Sequence, residues 1–170
     1  MMFISVISLI ISFLLQGLMS NFFNYTINGL SIFSTVYLVA NIVVLNQYFD
    51  DDKKFLILII IFGLLVDIVY TDTVLLNVFL FTIIFYINKK ISSFLPYNVM
   101  MVNLFSIISI ITYHLITFVF LKILSFDSFT IFTLVKIIGC NIIMTIMYTI
   151  ILYLLIDKIY KRFDLKMIRN

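Results

Sequence analysis

The sequence predicts an all-α integral membrane protein with six transmembrane helices and both termini in the cytoplasm. Three observations carry that prediction. First, 64% of the 170 residues are hydrophobic and only 11% are charged, where soluble domains run about 45–50% apolar and about 25% charged. Second, the mean hydropathy is +1.25, and the apolar residues come in runs as long as a bilayer is thick. Third, the basic residues gather on one side of the predicted spans. A soluble globular enzyme and a disordered chain are both excluded. At about 20 residues per crossing the chain holds at most about seven spans, which leaves no room for a separate soluble domain.

Apolar runs broken by charge or turn residues place the spans at 2–19, 30–48, 55–70, 73–88, 99–124 and 131–155. The first has no Lys or Arg before it, and Gly17-Leu18-Met19-Ser20 only mimics a cleavage site, so it is expected to be retained rather than removed as a signal peptide. An uncharged polar stretch containing Asn24, Asn28 and Gly29 follows. Asp50-Asp51-Asp52-Lys53-Lys54 stops the second span. The third and fourth meet at Tyr70-Thr71-Asp72-Thr73; as one helix, 55–88 would be about 50 Å long, too long for a bilayer. Lys89-Lys90 ends the fourth, and Pro96, the only proline, marks the next break. The fifth and sixth are long enough to tilt.

With both ends inside, nine of the eleven Lys and Arg fall on the cytoplasmic side, leaving Lys122 and Lys136 near the outer side. Five of the nine (Lys158, Lys161, Arg162, Lys166 and Arg169) lie in the tail 156–170, interleaved with Ile156, Ile159, Tyr160, Phe163 and Met167. That pattern reads either as an amphipathic continuation on the inner leaflet or as an ordinary positive-inside end. Tyr48, Tyr70 and Tyr97, near predicted ends, read as interface anchors in a chain without Trp.

Chemistry-bearing residues are scarce. Glutamate is absent, His114 is the only histidine, and Cys140 is the only cysteine. These counts exclude an intrachain disulfide and point to no metal site, no cofactor and no catalytic centre. Asp67, His114 and Lys136 lie within spans, where an ionisable group is costly and marks a functional candidate. Counting about 1.5 Å per residue puts Asp67 about 18 Å above the inner face, with His114 and Lys136 at about 22 Å. Gln16 and Asn77 come out at a similar level. Three readings stand open: a polar cluster forming a cavity or helix-docking surface, with Asp67 paired to Lys136; two charges snorkelling to the outer headgroups; or a structural ion pair fixing helix register. On the first span, Ser5, Ser8 and Ser12 form a stripe of small residues that lets helices approach.

The stretch from Phe62-Gly63-Leu64-Leu65-Val66-Asp67 to Thr71, with Leu76-Asn77-Val78-Phe79 and the closing Lys89-Lys90, resembles the MreD family of rod shape-determining proteins. Gly63 and Asp67 match its G-L-x-x-D signature on the third helix, and Leu15-Gln16-Gly17-Leu18 is similar to the Firmicute form. Many members carry further glycines where this chain has Thr71, Asp72 and Asn77. The resemblance implies a non-enzymatic membrane scaffold of cell elongation and peptidoglycan synthesis. Its implied partners are MreC, RodA with its class B penicillin-binding protein, and MreB indirectly. It also implies the fold of the substrate-binding S-components of energy-coupling-factor vitamin transporters, which is the alternative function. For that alternative, Gln16, Asp67, Asn77, His114 and Lys136 would line a pocket. The first span lacks the A-x-x-x-A docking surface of S-components, since Ala40 is the only alanine. A membrane-embedded lipid-processing enzyme would need clustered His, Asp or Glu, which the chain lacks.

Overall fold

A computed structural model describes residues 2–22, 25–27, 30–32, 36–49, 51–71, 75–92, 98–123 and 130–162. Tyr97, Lys166, Arg169, Phe163 and Met167, each given a role in the sequence reading, lie outside them. Among the described residues the chain forms six α-helices and one small hairpin. The helices are α1 (Met2–Phe22), α2 (Tyr37–Leu45), α3 (Asp52–Val66), α4 (Leu76–Ser92), α5 (Val99–Ile123) and α6 (Ile131–Arg162). A π-helical turn, Asp67–Thr71, extends α3. Among the described residues, four stretches are long and apolar enough to cross a membrane: Met2–Ser20, Asp52–Thr71, Val99–Ile123 and Ile131–Arg162.

The expected second span, 30–48, is not one helix. Leu30–Ile32 pairs as a strand, β2, with Tyr25–Ile27, β1, in the antiparallel register Ile27↔Leu30. The two residues between the strands are Asn28-Gly29, the dipeptide that most favours a two-residue hairpin loop. Helix α2 is left with nine residues, about 13 Å, which is short of a bilayer. All nine are buried. The segment packs as a central post against α1, α4, α5 and α6.

Around this post the usual amphipathic pattern is inverted. On α1 the buried row is Ser5, Ser8, Leu9, Ser12 and Gln16, while Phe3 (77% exposed), Ile7, Ile11, Leu14 and Leu18 face outward. Helix α6 likewise buries Asn141, Thr145 and Thr149 and exposes Phe132 (80%), Val135, Ile143, Met147 and Ile151. Turning apolar residues out and polar residues in is stable only where the surroundings are hydrocarbon. Polar side chains then serve as the contacts between helices. The fold is that of an all-α membrane protein.

At one end, Asp51 caps α3, accepting from the amides of Lys53 and Lys54 at 3.1 and 3.3 Å. Its carboxyl is held below the usual range chiefly by hydrogen bonding to Lys54. Lys89, in the last turn of α4, is paired with Asp52 in the first turn of α3, so each charge complements its helix dipole. Helix α6 does not stop near 155 but continues to Arg162. Ile156 and Tyr160 pack into the core, with the Tyr160 ring 4.3 Å from that of Tyr48. Lys158, Lys161 and Arg162 are exposed on the same turns.

Candidate functional site

Asp67 is 1% exposed. It closes α3 where the backbone widens into the π-helical turn, a distortion often found at functional positions. Its carboxylate faces the start of α4. There it accepts from the backbone amide of Asn77 (3.1 Å to Oδ1, 3.2 Å to Oδ2) and from that of Val78 (3.5 Å). The side-chain amide of Asn77 adds a third donor at 2.9 Å. These backbone groups belong to the first turn of α4, whose amides have no partner within the helix. The residue ahead of that helix is Leu75, whose carbonyl accepts the first helical bond from Phe79. Leucine has no side chain able to cap, and Leu75 is held at φ 65°. Asp67, eight residues earlier, takes over the capping role, and its negative charge complements the positive end of the α4 dipole.

Asn77 then extends the arrangement to α5. Its Oδ1 accepts from the Tyr113 hydroxyl at 2.7 Å, and its Nδ2 also reaches Thr71 Oγ1 at 3.3 Å. Both ends of the Asn77 amide are occupied, so this buried polar group is satisfied. Gly63, one turn before Asp67, allows the approach. A Cβ at position 63 would lie 2.8 Å from the Val78 Cα and 3.0 Å from its nitrogen. Gly63 and Asp67 thus form one unit, the first admitting the α4 backbone and the second binding its amides.

Gln16 does for α2 what Asp67 does for α4. Val36 precedes α2 and gives no side-chain cap; the Gln16 Oε1 instead accepts from the Leu38 amide at 3.2 Å. Next to it, Gly17 leaves room for Tyr70. The Tyr70 hydroxyl donates to the Phe13 carbonyl at 3.0 Å, and its ring lies 4.7 Å from that of Phe13. A Cβ at position 17 would overlap the Tyr70 hydroxyl and stand 2.7 Å from its Cζ. Gly17→Ala is therefore expected to lower stability by about 1–3 kcal/mol, as overpacking does. Adding Tyr70→Leu should restore part of the loss in a denaturation assay on the purified protein.

Further along α1, the serine stripe meets a buried asparagine. Asn41 of α2 donates from Nδ2 to Ser12 Oγ at 2.5 Å and lies 3.2 Å from Ser8 Oγ. Ser12 is also hydrogen-bonded to the Tyr148 hydroxyl of α6 at 2.6 Å. His114, 4% exposed, sits with its Nε2 2.7 Å from Asn141 Nδ2, tying α5 to α6.

The polar residues predicted as one cluster each find partners within the bundle, and Tyr113, which bonds Asn77, has its ring 5.4 Å from that of His114. Asp67, Asn77 and Gly63 come together at the head of α4. Gln16 serves α2, and His114 serves the α5–α6 contact. Lys136 is exposed on α6 beside Val135, whereas Asp67 is buried with its oxygens turned to α4. Sequence reading missed Tyr113, Asn41, Asn141 and Tyr148 as partners. Each is a polar side chain inside a predicted span, and that would have been the signal. Among the described residues, no three of His, Cys, Asp and Glu stand close enough together to hold a metal ion. No protein-family model, curated protein or solved structure matches this chain.

Proposed function

We propose that this protein is a non-enzymatic scaffold of the bacterial plasma membrane that regulates the cell-elongation complex, in the manner of the MreD proteins its third helix resembles. The observation that carries the reading is the Gly63–Asp67 unit. Gly63 and Asp67 are the signature positions of the resemblance, and both act on one neighbouring helix. Asn77, weighed as a ligand-gripping group, likewise spends its side-chain hydrogen bonds inside the bundle, and the Gln16 Oε1 accepts from the Leu38 amide. Broad apolar faces on α1, α5 and α6 remain for contacts within the bilayer. In this reading six membrane segments keep both termini in the cytoplasm. Helix contacts hold MreC and RodA with its class B penicillin-binding protein, and through them MreB. The exposed Lys158, Lys161 and Arg162 stand at the inner leaflet, where each basic residue near anionic lipid adds about 1 kcal/mol.

The test is affinity purification of the full chain from gently solubilised native membranes, with partners identified by mass spectrometry. MreC or the RodA–penicillin-binding protein pair is expected. Recovery of a transporter's coupling subunit with its ATPases would overturn the scaffold and make the protein an S-component.

A further inference from the structure

Threonine inside a helix ordinarily returns its hydroxyl to the carbonyl four residues earlier. Thr82, Thr112 and Thr117 do so here, at 2.7, 2.9 and 2.9 Å. Two threonines on the buried row of α6 do not. Thr145 and Thr149 are 1% and 0% exposed, and neither Oγ1 has a hydrogen-bond partner among the described residues. One turn above Thr145, Asn141 is 1% exposed and its Oδ1 is in the same condition. On α5, so is the Oγ of Ser106, also 1% exposed.

Asn141, Thr145 and Thr149 follow one another on a single buried row of α6, and Asn141 meets His114 of α5. The connection between α5 and α6 is short, so the helices run antiparallel, and the His114–Asn141 contact sets their register. Counting from that contact, Ser106 stands level with Thr149 and Ile110 with Thr145. The row from Asn141 to Thr149 is about 12 Å long. It lies well inside two helices that are each long enough to cross the membrane. Buried polar atoms in protein interiors are satisfied by protein or by bound water, and lipid offers neither. With the α5–α6 seam closed, these four have no partner among the described residues.

We propose that the α5–α6 seam is a water-binding site, filled by a row of water molecules when the two helices part by the width of one. Asn141, Thr145 and Thr149 offer acceptors or hydroxyls one helical turn apart, a spacing that single waters and short water chains bridge. His114 and Asn141 mark the upper end of the row. The neighbouring outward positions, Ile143, Met147 and Ile151, face hydrocarbon and hold none.

Water-edited solid-state NMR on the full-length protein in lipid bilayers tests the site without substitution. Magnetisation from water is expected to reach the methyls of Thr145 and Thr149 severalfold faster than those of Ile143 and Ile151. Equal or slower transfer would overturn the proposal. A second measurement reads the same question from stability. In a dry seam, Thr145→Val with Thr149→Val removes two unpartnered hydroxyls at constant shape and raises the denaturation midpoint; that result also overturns it. An unchanged or lowered midpoint is expected when water occupies the row.

Discussion

Replacing Asp67 by alanine is expected to be the most damaging single substitution in the bundle. The change strips the Asn77 and Val78 amides and the Asn77 side chain of their acceptor, in a place where water cannot substitute. Losing a helix cap costs about 0.5–2 kcal/mol, and removing one partner of a buried, charge-assisted bond costs about 1.5–3 kcal/mol. The two overlap because they count the same amides, so the expected loss is about 3 kcal/mol. Asp67→Asn keeps one acceptor oxygen but turns an NH₂ toward backbone donors, and should lose about half as much. Denaturation of the purified variants in bicelles, followed by circular dichroism, measures both. An Asp67→Ala protein as stable as the original would show that the α4 amides do not depend on this carboxylate. The same variant also bears on partners. If the scaffold reading holds, Asp67→Asn should weaken MreC recovery no more than it weakens the fold, because the carboxylate faces inward.

Gly63→Ala is expected to come second, for a different reason. One methyl group would press against the Val78 backbone at 2.8–3.0 Å, and a backbone cannot turn aside as a side-chain tip can. Helix α4 must move outward, stretching the bonds from Asn77 and Val78 to Asp67. Overpacking of this kind costs about 1–3 kcal/mol. Trimming Val78 to alanine should recover little, because the two closest atoms are its Cα and nitrogen. Gly63→Ala and Asp67→Ala together should cost less than the sum of the two singles, since both act on the same α3–α4 contact. A full rescue by Val78→Ala, or strict additivity in the double variant, would separate the two residues and dissolve the unit they form.

Helix α2 shows where reading the sequence falls short. The run from 30 to 48 is apolar enough to read as a span, and hydropathy alone has no means of dividing it. The division comes from strand pairing, Leu30–Ile32 lying against Tyr25–Ile27. What remains is too short to cross a membrane but fits wholly inside a ring of longer helices. The end of α6 teaches the converse. Ile156 and Tyr160 have the spacing of an amphipathic tail, yet both are buried, and the Tyr160 ring lies against Tyr48 just past the end of α2.

The sequence by itself determined the membrane class, the positions of α3, α4 and α5 to within a few residues and the start of α6, and it singled out Asp67 as a charge within a span. Those properties follow from composition, run length and the cost of a charge in hydrocarbon, all of which are local to the chain. It also marked Gln16, Asn77 and His114 as polar groups that need partners. Only the tertiary structure decided which partners. Asp67 turns to the amides of α4, and Gln16 caps a helix that begins more than twenty residues later. Such choices depend on which helix ends meet in space, and period and hydropathy carry no record of that. In hydrocarbon every exposed amide must find an acceptor, and the nearest one in space decides.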